Sequence, residues 1–134
     1  MLLIDTFAGT SLIEGVGVFA AEAIRKGAHI WTLDLSIDRL VTPQELDRAN
    51  PISQRFIERY AYFDAGLGGY LLDGDHSRFL NHSDDAAIEF RADGDGFARR
   101  HIAKGEELTC NYNEFMRSLV ILPSRVKDFQ RQFV

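Results

Sequence analysis

Three stretches of this sequence gather side chains whose types and spacing could do chemistry. Arg78-Phe79-Leu80-Asn81-His82-Ser83 sets three hydrogen-bonding side chains in a row behind an apolar pair. An asparagine amide donates and accepts at once, which suits it to hold a zwitterionic amino-acid group. Gly15-Val16-Gly17-Val18-Phe19-Ala20 alternates two glycines with apolar residues, so backbone there can approach a ligand more closely than a side chain would allow. Ile102 to Tyr112 contains the turn Lys104-Gly105 and then a segment, Glu107 to Tyr112, that reads as extended and ends on a tyrosine. Taken singly, each stretch also reads as plain structure: a turn, a polar loop after a buried turn, and a hairpin with a half-buried aromatic.

Other chemistries fit less well. Asp73, Asp75, His76, His82, His101 and Cys110 are metal-ligand types, but their spacing matches no standard site and the histidines fall in separate elements, so no metal is expected. Gly66-Leu67-Gly68-Gly69 and Gly15-Val16-Gly17 both lack the strand, third glycine and helix of a dinucleotide fingerprint. The single cysteine, Cys110, rules out an intrachain disulfide. A net charge of -5, with Lys and Arg spread out, argues against a dedicated nucleic-acid binder.

The elements that must position these residues are mostly strands. Glycines punctuate the chain between short apolar or β-branched runs, which predicts strands at Val16 to Ala20, Ala28 to Leu33, Tyr70 to Leu72, Ile88 to Ala92 and Phe97 to Ile102. Asp93-Gly94-Asp95-Gly96 has hairpin-turn chemistry, with positive φ expected at both glycines. Thr42-Pro43-Gln44-Glu45 starts a short helix as N-cap, first-turn proline and capping-box glutamate. A second helix follows Pro51 with Phe56, Ile57 and Tyr60 on one side, and Ser124 to Phe129 predicts a third. With 134 residues, 46% of them hydrophobic, no repeat and no linker-like tract, residues 1–134 read as one mostly β domain with a small helical insert. No apolar run approaches the roughly 20 residues that span a bilayer, and no leader is evident at the start, so an intracellular protein without membrane contact is expected.

In order, the glycine pair with Val-Phe-Ala, then R-F-x-N-H-S, then G-E-E-L-T-x-x-Y resembles the SET-domain protein-lysine methyltransferase family. The likeness covers about Ser11 to Phe115, with 116–134 as a tail. It implies small curved sheets and a C-terminal segment threaded under a preceding loop as a pseudoknot, an exception to the usual avoidance of threading. That knot would bring Arg78 to Ser83 against Glu107 to Tyr112. The implied activity is methyl transfer from S-adenosyl-L-methionine to a lysine ε-amine of a basic protein substrate, histones or other DNA-packing proteins being the family-level expectation.

By the same resemblance Gly15, Val16, Gly17, Asn81, His82, Tyr112 and Phe115 would contact the cofactor. Tyr112 would be the catalytic tyrosine, and Tyr60, Tyr62, Cys110 and Tyr112 would line the lysine channel, with the choice between Tyr60 and Tyr62 left open. The sequence departs from the family at four places. Asp84-Asp85-Ala86-Ala87 stands where a cysteine and Pro-Asn are common, Cys110 where an aromatic limits methyl number, and Glu14 where a basic or small residue is usual. Cysteine-rich flanking modules are missing, so Phe115 with Phe129 and Phe133, a partner, or a second subunit in a homodimer would have to close the site. Such a module-free chain suits a bacterial cytoplasm, or a nucleus if the source is eukaryotic or viral. The departures also raise an alternative, a catalytically inactive SET-fold module that binds a protein tail or the cofactor.

Overall fold

The computed structural model describes residues 1–116, Phe115 and Met116 by backbone only. The expected helix at Ser124 to Phe129 and the aromatics Phe129 and Phe133 lie outside the described residues. The chain opens with an antiparallel pair, β1 (Thr6–Thr10) and β2 (Val16–Ala20). In β2 Val18 and Ala20 share one face and are fully buried, while Phe19 between them on the other face is only half-buried, as period-2 side-chain geometry requires.

β3 (His29–Trp31) follows, then β4 (Arg39–Val41) and two helices, α1 (Pro43–Arg48) and α2 (Pro51–Tyr60). The capping box forms as expected: the Glu45 N–H donates to Thr42 Oγ1 at 3.1 Å, and the Thr42 N–H donates to the Glu45 carboxylate at 3.2 Å. Asn50 caps α2 by accepting the Ser53 N–H at 2.9 Å. β5 (Tyr62–Asp64) and β6 (Gly69–Leu72) join β4 in a three-stranded sheet ordered β4-β6-β5. A 3-10 turn at His76–Phe79 leads into β7 (Asn81–His82), followed by β8 (Ile88–Phe90), β9 (Gly96–Ala98), β10 (Glu107–Cys110) and α3 (Tyr112–Met116).

β10 organises the larger sheet, ordered β1-β2-β10-β8-β9-β3. It pairs antiparallel with β2 from the start of the chain, and parallel with both β7 and β8. Leu108 lies opposite Val18, Thr109 opposite Asn81, and Cys110 opposite both His82 and Ile88. The late segment is thus inserted between early and middle strands, and the two strongest motifs become neighbours. Val18, Ile30, Ile88, Ile102 and Leu108 are completely buried around this junction, each contributing about 1.5 to 3 kcal/mol by leaving water.

Several expectations change. Val16–Ala20 has its predicted bounds and the strand at Tyr70 to Leu72 gains Gly69, but those at Ala28 to Leu33 and Ile88 to Ala92 are shorter, and Phe97 to Ile102 breaks after Ala98, with Ile102 making only an isolated bridge to Ile24. β1, β4, β5 and β7 were not expected, because their two- to five-residue runs show little alternation. Gly94 has the expected positive φ of 92°, but Gly96 does not. It belongs to β9, where a Cβ would press on Phe90, Ile88 and Trp31 at 3.1 to 3.2 Å. The extended segment ends at Cys110, so Tyr112 opens a helix rather than closing a strand.

Candidate functional site

β7 places Asn81 and His82 side by side, both buried. The His82 Nδ1 accepts the backbone N–H of Tyr112 at 3.1 Å, while Nε2 lies 2.9 Å from Asp84 Oδ1. A nitrogen that accepts carries no proton, so the ring proton sits on Nε2 and donates to Asp84. The His82 and Tyr112 rings meet edge to face, 5.2 Å apart. Tyr112 is buried, and its hydroxyl donates to the Leu80 carbonyl at 2.7 Å. Both ends of this tyrosine are therefore tied to the residues around Asn81-His82. Glu114 secures the helix that begins at Tyr112, since its carboxylate accepts the Phe90 N–H at 2.7 Å and pairs with Arg99.

On one side of this junction lies a cleft of about 650 Å³ whose walls include Tyr60, Tyr62, Leu80, Cys110 and Tyr112. The spacing could not choose between Tyr60 and Tyr62, and the structure puts both in this wall. Tyr60 ends α2 and packs edge to face on Phe79 at 5.7 Å. Tyr62 stands in β5, and its hydroxyl is held well above the usual phenol range, first by burial and then by the negative charges of Asp73, Asp38 and Asp64, with Cys110 last. Cys110 is buried at the end of β10 and belongs to the cleft lining, its carbonyl accepting the Ser83 N–H at 3.1 Å.

On the other side, next to Asn81, lies the glycine pair. Gly15 adopts φ 45°, a left-handed turn in which a Cβ would meet nothing within 4 Å. Gly17 is different: a Cβ there would fall 2.7 Å from Glu107 Oε2, so its missing side chain makes room for the protein's own carboxylate. The Asn81 amide also turns inward, its Nδ2 within 3.0 to 3.3 Å of Ser11 Oγ, the Glu14 and Val16 carbonyls and Glu107 Oε2. Two N–H groups shared among four acceptors make a bifurcated anchor for the turn. Asn81 thus clamps the glycine turn, a role that motif reading missed together with Ser11 and Glu107. The side chain of Phe115 lies outside what is described.

The turn at Gly15 is anchored on its Asn81 side and open at Gly15 itself. The turn has space where a side chain would begin, and its backbone is pinned to the strand carrying His82. Among the described residues no three His, Cys, Asp or Glu side chains group as a metal site, and no helix is long and apolar enough to cross a membrane.

Comparison with known proteins places these features together. The SET domain family model matches residues 15–113. A humanised mutant of the Chaetomium thermophilum Polycomb Repressive Complex 2 bound to the inhibitor GSK126 is similar over 88% of this chain and 16% of that one, at 25% identity and TM-score 0.58. An autoinhibited conformation of the complex bound to S-adenosylmethionine is similar over 96% and 17%, at 24% identity and TM-score 0.59. A candidate histone methyltransferase of Plasmodium falciparum is similar over 83% and 95%, at 22% identity and TM-score 0.57. The chain spans less than a fifth of the two complex-derived chains. Curated protein sequences give no match. With the family model covering 15–113 and the mostly β architecture shared with these structures, this chain belongs to the SET-domain family.

Proposed function

We propose that this chain is an S-adenosyl-L-methionine-dependent protein-lysine methyltransferase, with residues 1–134 acting as one SET domain. The observation that carries the reading is Tyr112, buried in the wall of the aromatic cleft and tied through its backbone to His82 and through its hydroxyl to Leu80. The glycine turn and Asn81 stand on the other side of the same strand junction. When bound, S-adenosyl-L-methionine supplies an electrophilic methyl group on a sulfonium. The residues that would hold it are Gly15, Val16 and Gly17 through backbone, with Asn81, His82, Tyr112 and Phe115 around them.

The cleft side serves the lysine. An ordinary lysine is protonated at neutral pH, with a pKa of about 10.4, and only the neutral amine has the lone pair to attack. Tyr60, Tyr62 and Tyr112 give walls that favour the neutral amine by desolvation and still tolerate a methylated ammonium by cation–π attraction. Because the Tyr112 hydroxyl donates to Leu80, its oxygen presents acceptor density, which suits weak C–H···O alignment of the methyl group. Catalysis then rests largely on holding amine and methyl in line. The acidic residues Asp64, Asp73, Asp93, Asp95 and Glu114 in the cleft lining outnumber Arg78 and Arg91, which favours a basic protein segment such as a histone or DNA-packing protein tail. Such substrates set the protein inside the cell.

The test is calorimetry with S-adenosyl-L-methionine, followed by incubation of the purified chain with labelled cofactor and cell lysate. Labelled lysine found by mass spectrometry supports the reading. Cofactor binding with no transfer to any protein sinks it in favour of the inactive binding module, to which the Asp84 to Ala87 and Cys110 departures point.

A further inference from the structure

We propose that Ser11 is a positioning residue that sets the shape of the cofactor turn before the cofactor arrives, acting through Glu107 and Asn81. The proposal rests on the reading that the turn at Gly15 binds S-adenosyl-L-methionine. Ser11 stands between the end of β1 and the turn, and its backbone N–H donates to the Gly15 carbonyl at 2.8 Å, closing a five-residue loop. Its hydroxyl does more. The oxygen accepts the Ile13 N–H at 2.9 Å and the Glu14 N–H at 3.2 Å, so one side chain satisfies two amides inside the loop. It also receives the Asn81 Nδ2 at 3.0 Å, and its proton goes to the Glu107 carboxylate, 2.8 and 3.0 Å away.

Ser11 therefore touches the loop backbone, the Asn81 clamp and the Glu107 carboxylate at once, and it is the group that satisfies N–H donors inside the loop. Two of its three partners come from distant parts of the chain, 70 residues away for Asn81 and 96 for Glu107. Gly17 completes the arrangement, because the site of its absent Cβ lies 2.7 Å from Glu107 Oε2 and 3.1 Å from Ser11 Cβ. Any residue other than glycine at 17 would push carboxylate and hydroxyl apart.

The physical expectation is pre-organisation. A loop that needs no reordering when ligand binds gives the intrinsic affinity undiminished, whereas a loop only fractionally in the competent shape weakens apparent affinity by that fraction. Leu12, at the loop apex, is fully exposed and Ile13 is largely exposed. Their side chains provide little burial to hold the loop, so its order falls to hydrogen bonds, those of Ser11 together with the Asn81 donation to the Glu14 carbonyl.

Ser11→Ala removes the hub and keeps the Cβ. Ser11→Thr keeps the hydroxyl and serves as the conservative rescue. In the ligand-free protein, amide hydrogen exchange at Ile13 and Glu14 should speed up at least tenfold in Ser11→Ala and return close to native rates in Ser11→Thr, about what loss of one or two hydrogen bonds allows. Calorimetry should show S-adenosyl-L-methionine bound about five- to tenfold more weakly by Ser11→Ala and near normally by Ser11→Thr. Glu107→Leu is a second variant, of similar length, that should behave like Ser11→Ala because it leaves the Ser11 hydroxyl and the Asn81 amide without their shared acceptor. Unchanged exchange in both disruptive variants overturns the proposal, as does faster exchange with native affinity. A native domain that binds no cofactor sinks the functional reading and this inference together, while native binding indifferent to Ser11→Ala sinks the inference alone.

Discussion

The imidazole of His82 accepts the backbone N–H of Tyr112 at 3.1 Å, so a residue of the middle motif fixes the main chain of the last one. His82→Ala should release the first turn of the helix that begins at Tyr112, leaving an N–H in a buried setting without its acceptor, at about 1 to 3 kcal/mol. Methyl transfer should fall along with the melting temperature. In the native protein, nitrogen NMR of His82 should show the neutral ring protonated on Nε2. A ring protonated on Nδ1 would contradict the bond.

Tyr112→Phe separates hydroxyl chemistry from ring packing. The hydroxyl donates to the Leu80 carbonyl, so a loss of about 1 kcal/mol is expected in melting curves. Methyl transfer should fall about 100-fold or more if alignment is the main loss. A folded Tyr112→Phe protein of full activity would remove Tyr112 from the mechanism.

Cys110 lines the same cleft as the three tyrosines, so its small side chain leaves room beside the target amine. The native domain is expected to make di- or trimethyllysine, and Cys110→Tyr to shift product toward monomethyllysine. Overpacking by the larger ring costs about 1 to 3 kcal/mol, so melting curves accompany mass spectrometry of the modified peptide. A native domain that stops at one methyl counts against this role.

Asn81→Ala removes the donor shared by Ser11, Glu14, Val16 and Glu107. Cofactor affinity should drop tenfold or more, and stability by about 1 to 3 kcal/mol, because the glycine turn loses its anchor to β7. Unchanged affinity in calorimetry would show that the assigned pocket is wrong.

Asp75 makes stability depend on pH at the acid end. Burial pushes its carboxyl up, but donation from the Ser77 hydroxyl, the Leu2 N–H and the Ser77 N–H outweighs it, so the folded value lies below the usual carboxylate range. The unfolded chain takes up this proton first as pH falls below about 4. The contribution of Asp75 is thus whole above that point and fades as pH drops through the folded value. Asp75→Asn should flatten the acid limb of a stability-against-pH curve. An unchanged limb would show that other carboxylates govern it.

Much of the fold was legible where local chemistry decides structure. The N-cap Thr42 with Pro43 and Glu45, and strand Val16–Ala20, follow from rules acting within a few residues. β7, two residues long, had no local signature, and its pairing with Thr109 and Cys110 exists only because β10 runs alongside. The site divides the same way. Tyr112, Asn81 and His82 stood out by type and order, whereas Ser11 is one ordinary polar residue whose partners lie far off in sequence. Nor could spacing reveal that the Asn81 amide faces inward, since that depends on where Glu14 and Val16 carbonyls end up.

The insertion of β10 between strands from the beginning and middle of the chain has a consequence for synthesis and folding. Loop-closure entropy must be spent before such distant pairings return anything, so chains dominated by them fold slowly. Until residues 107–110 have left the ribosome, β2 lacks its inner neighbour, and Val18 and Ala20 lack the partner strand that helps cover them. A nascent or truncated chain would show apolar strand edges to its neighbours, the condition that promotes misassembly. The strand that brings the middle and last motifs together is thus also the one that covers β2, and a chain caught before that step is sticky.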